Sequence, residues 1–468
     1  MRRRWLYLAL GCWSAVWFVI LAHRGGIDWK FFTTGTSLLF GGHPAVIQGI
    51  TGGPDAAGPA GLPGPPPPGG LHIFASYPAL QMGPLAYLVT GVLRHLSPHN
   101  GVVAAELFLQ ACGLLIVYLV ERIALIAKPS LEDDRWFPVT LLAGGGVFLV
   151  AWSELAAGFA HLDDGLALLL AVMGVFCLFC VFWGAETSPP DPPPSSGGRR
   201  SITRPEGPSG TFATGRSAKL ASLAAGPPWA AWPRGSAKVA SLAAGPPWAA
   251  PVLAGLCIGL AADAKPWALV FLPVLLLFGV GNRRAAVAWC AALATLAVGW
   301  LPFFVADPGT IHATRYLIRN ETNSALRALG VSENYTPSWD RPAQVALGCV
   351  LGALAVWRRR WPAVLMLAGG ARLLLDPAAH SYYTPDVMVG ALLWDMVGSR
   401  RPMPVWSLAS FAALNVAPLV ISDGAVQGTL RLCLIAAFTI AALMPRIPLP
   451  TRRRWRWRWM RISGHIGH

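Results

Sequence analysis

Apolar segments long enough to cross a lipid bilayer recur along almost the whole chain, from Trp5 to Leu443. A helix that crosses a bilayer needs about 20 mostly apolar residues, and about 17 is the lower limit. The 468 residues are 54% hydrophobic and only 13% charged, which excludes an ordinary soluble globule. The pattern predicts an all-α fold, a polytopic transmembrane helix bundle.

Basic residues are grouped in the short segments between the apolar runs and in the tail, and they account for the formal net charge of +15. Charge distributed in this way is typical of positive-inside orientation and not of a surface that binds nucleic acid. The alternating basic clusters predict about twelve crossings with both chain ends in the cytoplasm. We expect a multi-pass protein of the plasma membrane whose first helix, Trp5 to Ala22, is not cleaved.

A Pro- and Gly-rich linker divides the membrane-embedded part of the chain. The linker carries seven basic and three acidic residues, which predicts a cytoplasmic loop, and it contains a duplicated segment of 15 residues, Ser217 to Ala231 and Ser236 to Ala250. Two copies of a linker segment cannot stack into a solenoid, so we assign them no chemistry. The predicted parts are an N-terminal module (1–183), the linker (184–250), a C-terminal module (251–444) and a basic tail rich in Trp and Arg (445–468).

A carboxylate directly follows the first apolar segment. Asp28 precedes Trp29-Lys-Phe-Phe32 and a short segment to Phe40 that fits the surface of a bilayer. An isolated interfacial acid is usually a solvated charge, so position alone assigns it no role. Its aromatic neighbours favour one, because desolvation beside Trp29 and Phe31 raises the basicity of a carboxylate.

Further polar side chains fall at helix ends on the same, external face. Asp163 and Asp164 precede a long apolar helix, where an acid drawn to mid-membrane costs about 2.5 to 3.5 kcal/mol, although capping of that helix is a structural alternative. Lys265 lies between two apolar segments, where it either snorkels or holds a phosphate. The face collects Asp28, His161, Asp163, Asp164, Lys265, Arg315, Arg319, His380, Tyr382 and Tyr383, and all but Arg319 and His380 are candidate site residues.

The shared face depends on the number of crossings between Asp28 and His161. Three apolar segments lie between them, and three full crossings would place the two residues on opposite faces. We therefore expect one segment not to span the membrane. Tyr77 to Leu93 and Phe137 to Trp152 are the short ones, at or below the limit of about 17 residues, and the sequence leaves open which of them fails.

Five short motifs follow one another in a recognisable order: Asp28 after the first helix, Leu38-Leu-Phe-Gly-Gly42, Tyr77-Pro78 with Pro84, His161-Leu-Asp163-Asp164-Gly-Leu-Ala-Leu168, and Gly255 to Lys265-Pro266-Trp267. This order resembles the C-type (GT-C) superfamily of integral membrane glycosyltransferases, and more narrowly the bacterial polyprenol-phosphate-dependent mannosyl and arabinosyl transferases. The resemblance covers Trp5 to Pro273 by pattern and the remainder by hydropathy. The Pro-rich first loop and the duplicated linker depart from the family pattern.

The resemblance implies transfer of a sugar, with mannose favoured, from a polyprenyl phosphate to an acceptor hydroxyl on the extracytoplasmic face, with inversion. Asp28 would be the general base. Lys265, His161 and an external-loop arginine would stabilise the leaving phosphate, and Asp163 and Asp164 would orient the acceptor. The implied partners are the lipid-linked donor, a glycolipid or polysaccharide acceptor and membrane lipids, with no nucleic acid.

Cofactors and competing functions stay open at this point. All eight cysteines lie in apolar segments, so we expect small buried side chains and neither disulfides nor a metal site from them; a divalent cation at Asp163 and Asp164 is left undecided. A proton-coupled transporter or lipid flippase is the main alternative, and a noncatalytic membrane scaffold is a second.

Overall fold

The computed structural model describes residues 3–41, 68–186, 248–279, 282–315, 317–399 and 401–444, and it describes only the backbone of 180–186 and 314–315. The described residues form a helical bundle without a β-strand; one isolated bridge joins Arg319 and Tyr335. Most of the linker, most of the Pro-rich loop and all of the basic tail lie outside the described residues.

Within residues 3–41 and 68–186, seven α-helices lie before the linker. The fourth begins at Pro84 and not at Tyr77, because Pro84 occupies the first turn, where the missing N–H of proline costs nothing. These helices are α1 (Arg3–Ala22), α2 (Trp29–Leu39), α3 (Ile73–Ser76), α4 (Pro84–Leu96), α5 (Gly101–Ala127), α6 (Phe137–Ser153, continued by a π-helical turn, Glu154–Phe159) and α7 (Leu162–Glu186), with short 3-10 turns at Gly70–His72 and Pro129–Leu131.

The described helices after the linker follow the same pattern of apolar segments and short polar turns. They are α8 (Ala249–Ala264), the long 3-10 helix Pro266–Phe278, α9 (Arg283–Ala306), the 3-10 helix Pro308–Arg315, α10 (Ala325–Ala328), α11 (Asp340–Trp357), the 3-10 turn Trp361–Ala363, α12 (Val364–Leu375), the 3-10 turn Ser381–Tyr383, α13 (Thr384–Leu393) with the π-turn Trp394–Gly398, α14 (Val405–Phe411) with the π-turn Ala412–Val416, α15 (Ala417–Val420) and α16 (Gly424–Leu443).

Six of the described helices are long and apolar enough to cross a membrane. Their outward-facing side chains are apolar as well; Val298, Leu301 and Val305 of α9 are exposed. Since apolar side chains exposed along a spanning helix contact lipid tails, the chain is a helical membrane protein. The six segments are Arg3–Ala22, Gly101–Ala127, Phe137–Phe159, Leu162–Phe179, Arg283–Ala306 and Gly424–Leu443, and the shorter apolar ones are Ala249–Ala264, Pro266–Phe278, Trp361–Leu375 and Val405–Val420.

Small residues allow α8 and α9 to pack closely. A Cβ atom at Gly259 would lie 2.6 Å from the carbonyl oxygen of Ala292, and one at Gly255 would meet the carbonyl oxygen of Ala288. Glycines four residues apart present a flat face to the partner helix, which is how membrane helices gain van der Waals contact where the hydrophobic effect gives little.

The helix ends define two faces of the bundle. The site face carries Asp28, His161, Lys265 and Tyr382, and at this face the N–H of Asp28 donates to Phe159 and the hydroxyl of Ser381 to Glu154. The opposite, basic face joins Arg3 to Glu132, Thr140 to the carbonyl of Pro402, and Arg358 to the carbonyl of Leu443. Asp28 and His161 therefore lie on the same face, as the sequence predicts.

Helix α4 explains how three apolar segments can separate Asp28 from His161 without placing them on opposite faces. At its start, the N–H of Gly83 donates to Ala264 at the end of α8 (2.9 Å), and beyond its end Gly101 lies beside Trp29. Both contacts are on the site face. The segment that contains α4 thus returns to the face it came from, whereas Phe137–Phe159 has the length to cross.

The prediction that all cysteines are buried is wrong for Cys12, Cys290 and Cys433, which are exposed. These residues lie on α1, α9 and α16, and a thiol on the outer side of an apolar helix is compatible with lipid contact. The described cysteines form no disulfide.

The position of α4 can be tested by cysteine accessibility in a cysteine-free background. We expect Lys30→Cys and His99→Cys, both at exposed sites, to react with a membrane-impermeant maleimide from the same side of the membrane, and Arg283→Cys to react from the other side. Labelling of His99→Cys from the Arg283 side would mean that α4 crosses the membrane.

Candidate functional site

The loop between α1 and α2 holds Asp28 through its backbone. Gly25 and Gly26 have φ angles of +69° and +57°, a left-handed conformation that glycine adopts without steric cost. The following N–H groups of Ile27 and Asp28 donate to the carbonyls of Gly158 and Phe159. Asp28 is thereby fixed against the end of α6, and its side chain stays 17% exposed.

A break between α6 and α7 presents His161 to the same place. The π-helical turn Glu154–Phe159 ends at Ala160, which is left-handed (φ +53°), and the N–H of His161 donates back to Leu155. π-Turns insert one residue into a helix and are frequent at functional sites. Glu154, the first residue of this turn, accepts hydrogen bonds from Arg24 and Ser381, so three chain segments are joined at the break.

His161 lies between the carboxylates of the sequence motif. Its Nδ1 lies 2.6 Å from Asp163 Oδ1 and 2.9 Å from Asp164 Oδ2, and its Nε2 lies 3.7 Å from Asp28 Oδ2. Burial alone would lower the pKa of His161, but the charges of Asp163 and Asp164 outweigh it and raise the pKa to about 9. His161 is therefore an imidazolium at neutral pH, directed at Asp28.

The pKa of Asp28 is raised above its ordinary value, chiefly by burial. The charge of Asp163 raises it further, whereas His161, Lys265 and His380 lower it. A carboxylate whose basicity is increased by desolvation is better suited to accept a proton than a fully solvated carboxylate is.

Two cations compensate the fully buried acids. Lys265 forms an ion pair with Asp163 and lies 4.0 Å from Asp164, and Arg372 donates to Asp164 Oδ1 at 2.9 Å. The ammonium of Lys265 is thus already engaged by carboxylates. In the structure, Lys265 forms a part-buried ion pair with Asp163, and its side chain stays 15% exposed.

Arg372 is a site-face residue that the sequence reading missed. It lies in α12, only 4% exposed, with its guanidinium between the rings of Trp267 (4.1 Å) and Tyr383 (4.2 Å), and it also pairs with Asp386. The available signal was one arginine within the apolar run Pro362 to Leu375. An ionisable residue inside such a run indicates a functional site by default.

Aromatic rings extend the site from His161 toward the surface. Tyr382 stacks on His161 (centroids 4.2 Å apart) and on His380 (5.1 Å), and Phe159 packs against Tyr382. His380 is partly exposed, whereas His161 and Tyr382 are buried. The stack therefore leads from the buried imidazolium to a half-open imidazole.

Seven of the eight candidate residues come together within this arrangement. Asp28, His161, Asp163, Asp164 and Lys265 form a connected charge cluster, Tyr382 covers His161, and Tyr383 covers Arg372. The side chain of Arg315, the eighth candidate, lies outside the described part of the structure.

The geometry of His161, Asp163 and Asp164 does not fit a divalent cation. The three residues offer ligand atoms close to one another, but the separation of 2.6 Å between His161 Nδ1 and Asp163 Oδ1 is a hydrogen-bond distance. Two atoms that bind one metal at about 2.1 Å lie about 3 Å apart. Lys265 and Arg372 already supply the positive charge that a cation would bring.

The two glycines before Asp28 provide a matched test of how the loop is held. A Cβ at Gly26 would lie 2.7 Å from Val102 and 2.8 Å from Ala160, whereas one at Gly25 would meet nothing within 4 Å. Both substitutions to alanine incur a left-handed penalty of about 1 kcal/mol, and Gly26→Ala adds overpacking of about 1 to 3 kcal/mol. We expect thermal unfolding of the purified protein to show the larger loss of Tm for Gly26→Ala. Equal losses would contradict this packing.

Comparisons of this chain with protein-family models, curated proteins and solved structures give no match. The site face itself combines a partly buried carboxylate, an imidazolium beside it, and two acids compensated by Lys265 and Arg372.

Proposed function

We propose that the chain is a GT-C-like glycosyltransferase of the plasma membrane, with Asp28 as the general base. In this proposal it transfers a sugar from a polyprenyl phosphate to an acceptor hydroxyl of a glycolipid or polysaccharide. The observation that carries the proposal is the position of Asp28: a partly exposed carboxylate on the site face, 3.7 Å from an imidazolium and near a half-open imidazole.

The proposed reaction requires a single displacement. The acceptor oxygen forms a bond to the anomeric carbon, the bond between that carbon and the phosphate oxygen breaks, and the acceptor proton passes to Asp28. The polyprenyl phosphate leaves with the electron pair, and the anomeric configuration inverts. Mannose is the favoured sugar by the family resemblance.

The leaving phosphate requires a hydrogen-bond donor that a buried acid does not already hold. Lys265 pairs with Asp163, and Arg372 pairs with Asp164 and Asp386, so neither is free to turn toward a phosphate without exposing a buried acid. His380 is partly exposed and close enough to Asp28 to lower its pKa. We assign the phosphate contact to His380, which replaces Lys265 in that role.

Helices α2 and α4 pack against each other and form a layer that could bind a lipid-linked substrate. Thr36 of α2 donates to the carbonyl of Tyr87 in α4, and the layer exposes Phe40, Val92 and Leu96. Apolar side chains on short helices at a bundle face are suited to the membrane interface. A substrate with a polyprenyl tail could then reach Asp28 from the bilayer.

The proposed topology has about twelve crossings, with the site face outside the cytoplasm and the basic face inside. The six long helices, the four shorter apolar segments, α11 and α13 are used as crossings, and α4 is not. An external site cannot reach cytoplasmic nucleotide sugars, which is why the donor is a lipid-linked sugar.

Asp28→Asn is expected to lower sugar transfer by about 100-fold to 10,000-fold, because asparagine cannot accept the proton. The measurement is transfer from a panel of radiolabelled polyprenyl-phosphate sugars to lipid acceptors, in membranes with matched amounts of protein. Asp307→Asn is the control, since Asp307 pairs with His72 on an exposed part of the chain. Equal transfer by wild type and Asp28→Asn would remove Asp28 as the base, and no transfer with any donor would favour the transporter.

His380→Ala is expected to lower kcat/KM for the donor by about tenfold to 100-fold, the effect of losing a hydrogen bond to a charged group. His72→Ala is the matched histidine control. If His380→Ala retains the wild-type kcat/KM, the phosphate contact belongs to another residue.

A further inference from the structure

Arg372 connects the two membrane modules at the charge cluster. It belongs to α12 in the C-terminal module, and its guanidinium donates to Asp164 of α7 in the N-terminal module at 2.9 and 3.5 Å. On its other side it pairs with Asp386 of α13. Because its side chain is 4% exposed and lies between two aromatic rings, Arg372 has no surface left for a substrate.

The contacts of Asp164 show what Arg372 does to it. Oδ1 of Asp164 accepts from the indole N–H of Trp267 (2.6 Å) and from Arg372 (2.9 Å). These two donors fix the rotation of the carboxylate, so that Oδ2 faces Nδ1 of His161 at 2.9 Å. A carboxylate held by one donor would be free to turn about its Cβ–Cγ bond.

His161 transmits this orientation to Asp28. Its ring is stacked on Tyr382 and its Nδ1 lies between Asp163 and Asp164, so that Nε2 is directed at Asp28 Oδ2. Arg372 is therefore three contacts away from the proposed general base, through Asp164 and His161.

We propose that Arg372 is a positioning residue for Asp28: by fixing Asp164, it holds the His161 imidazolium against the general base. The inference rests on the proposed function of Asp28. In this proposal Arg372, a buried residue of the C-terminal module, controls the pKa and the surroundings of Asp28 in the N-terminal module.

The direction of the expected pH effect follows from the groups that face Asp28. The titratable groups around Asp28 come from four places in the fold: His161 before α7, Asp163 in α7, Lys265 after α8, and His380 and Tyr382 before α13. His161 contributes the largest of the favourable charges and lowers the pKa of Asp28. If His161 is no longer held in place, the pKa of Asp28 rises, so the acidic limb of the pH–activity profile moves to higher pH.

The experiment compares three variants of the full-length protein with wild type. Arg372→Met/Asp386→Asn removes the guanidinium and neutralises its other partner, which avoids an unpaired acid at Asp386. Arg372→Lys retains the charge but loses the two-pronged contact. Arg431→Met is the matched control, because Arg431 is also buried and its guanidinium donates to the carbonyls of Asn323 and Ala379.

The measurements are kcat and KM for transfer across the pH range, with thermal unfolding as the test of folding. We expect the double variant to lose at least about tenfold in kcat with little change in KM, and its acidic limb to move up by about one pH unit. Arg372→Lys should show a smaller loss of kcat with the wild-type limb, and Arg431→Met should retain the wild-type limb.

Two results would overturn the proposal. Wild-type kcat and pH limits in the double variant would mean that Arg372 only neutralises the neighbouring acids Asp376 and Asp386. The same shift of the limb in Arg431→Met would mean that the loss of any buried arginine has this effect.

A second readout separates this proposal from the proposed function. The carboxyl carbon of Asp28 can be titrated by ¹³C NMR in nanodiscs, with the signal assigned by its loss in Asp28→Asn. If wild type transfers no sugar, the proposed function fails, and a pKa of Asp28 that is higher in the double variant than in wild type still supports positioning by Arg372. An unchanged Asp28 titration would reject it.

Discussion

Two adjacent acids can lie without solvent exposure at the start of an apolar helix only if cations from other helices compensate them. Asp163 and Asp164 have 0% exposure, and Lys265 and Arg372 meet them from the turn after α8 and from α12. Removal of one partner from a buried ion pair costs about 3 to 5 kcal/mol, because the other charge is left uncompensated. This requirement determines which helices meet at the site face and joins the N-terminal module to the C-terminal one.

The same requirement gives the site its chemistry. The acid pair is held by its cations and by the indole N–H of Trp267, and both acids face His161, whose imidazolium lies against Asp28. In the structure, the pair of acids supports the imidazolium of His161. Asp28 is left as the carboxylate of this cluster with access to the outside, at 17% exposure.

Much of this arrangement could be predicted from the sequence, and the failures have physical causes. Basic clusters and apolar periodicity predict a helical membrane bundle, and helix-end positions bring Asp28, His161 and Lys265 to one face. The parity of crossings requires one non-spanning segment, but hydropathy cannot separate α4 from α6, because their difference lies in a π-helical extension, Glu154–Phe159, and in contacts to distant residues. The sequence does not predict Arg372 and Asp386 as site residues, because the apolar segments around them indicate only membrane crossings. The partner of Lys265 could not be predicted, since a pairing across 102 positions leaves no local pattern.

The separation of the charged partners along the chain has a consequence for biosynthesis. Asp164 and Arg372 are 208 positions apart, so α7 is made long before the arginine that compensates its acid pair. During that interval His161 faces both acids but the charges of Lys265 and Arg372 are missing, and an uncompensated acid beside the hydrocarbon costs about 2.5 to 3.5 kcal/mol. The position of α7 in the membrane is therefore not fully stabilised until α8 and α12 have been inserted. In a nascent chain that stops in the linker, those acids would stay without Lys265 and Arg372. The position of the first module in the membrane is therefore fully stabilised only when the second module is complete.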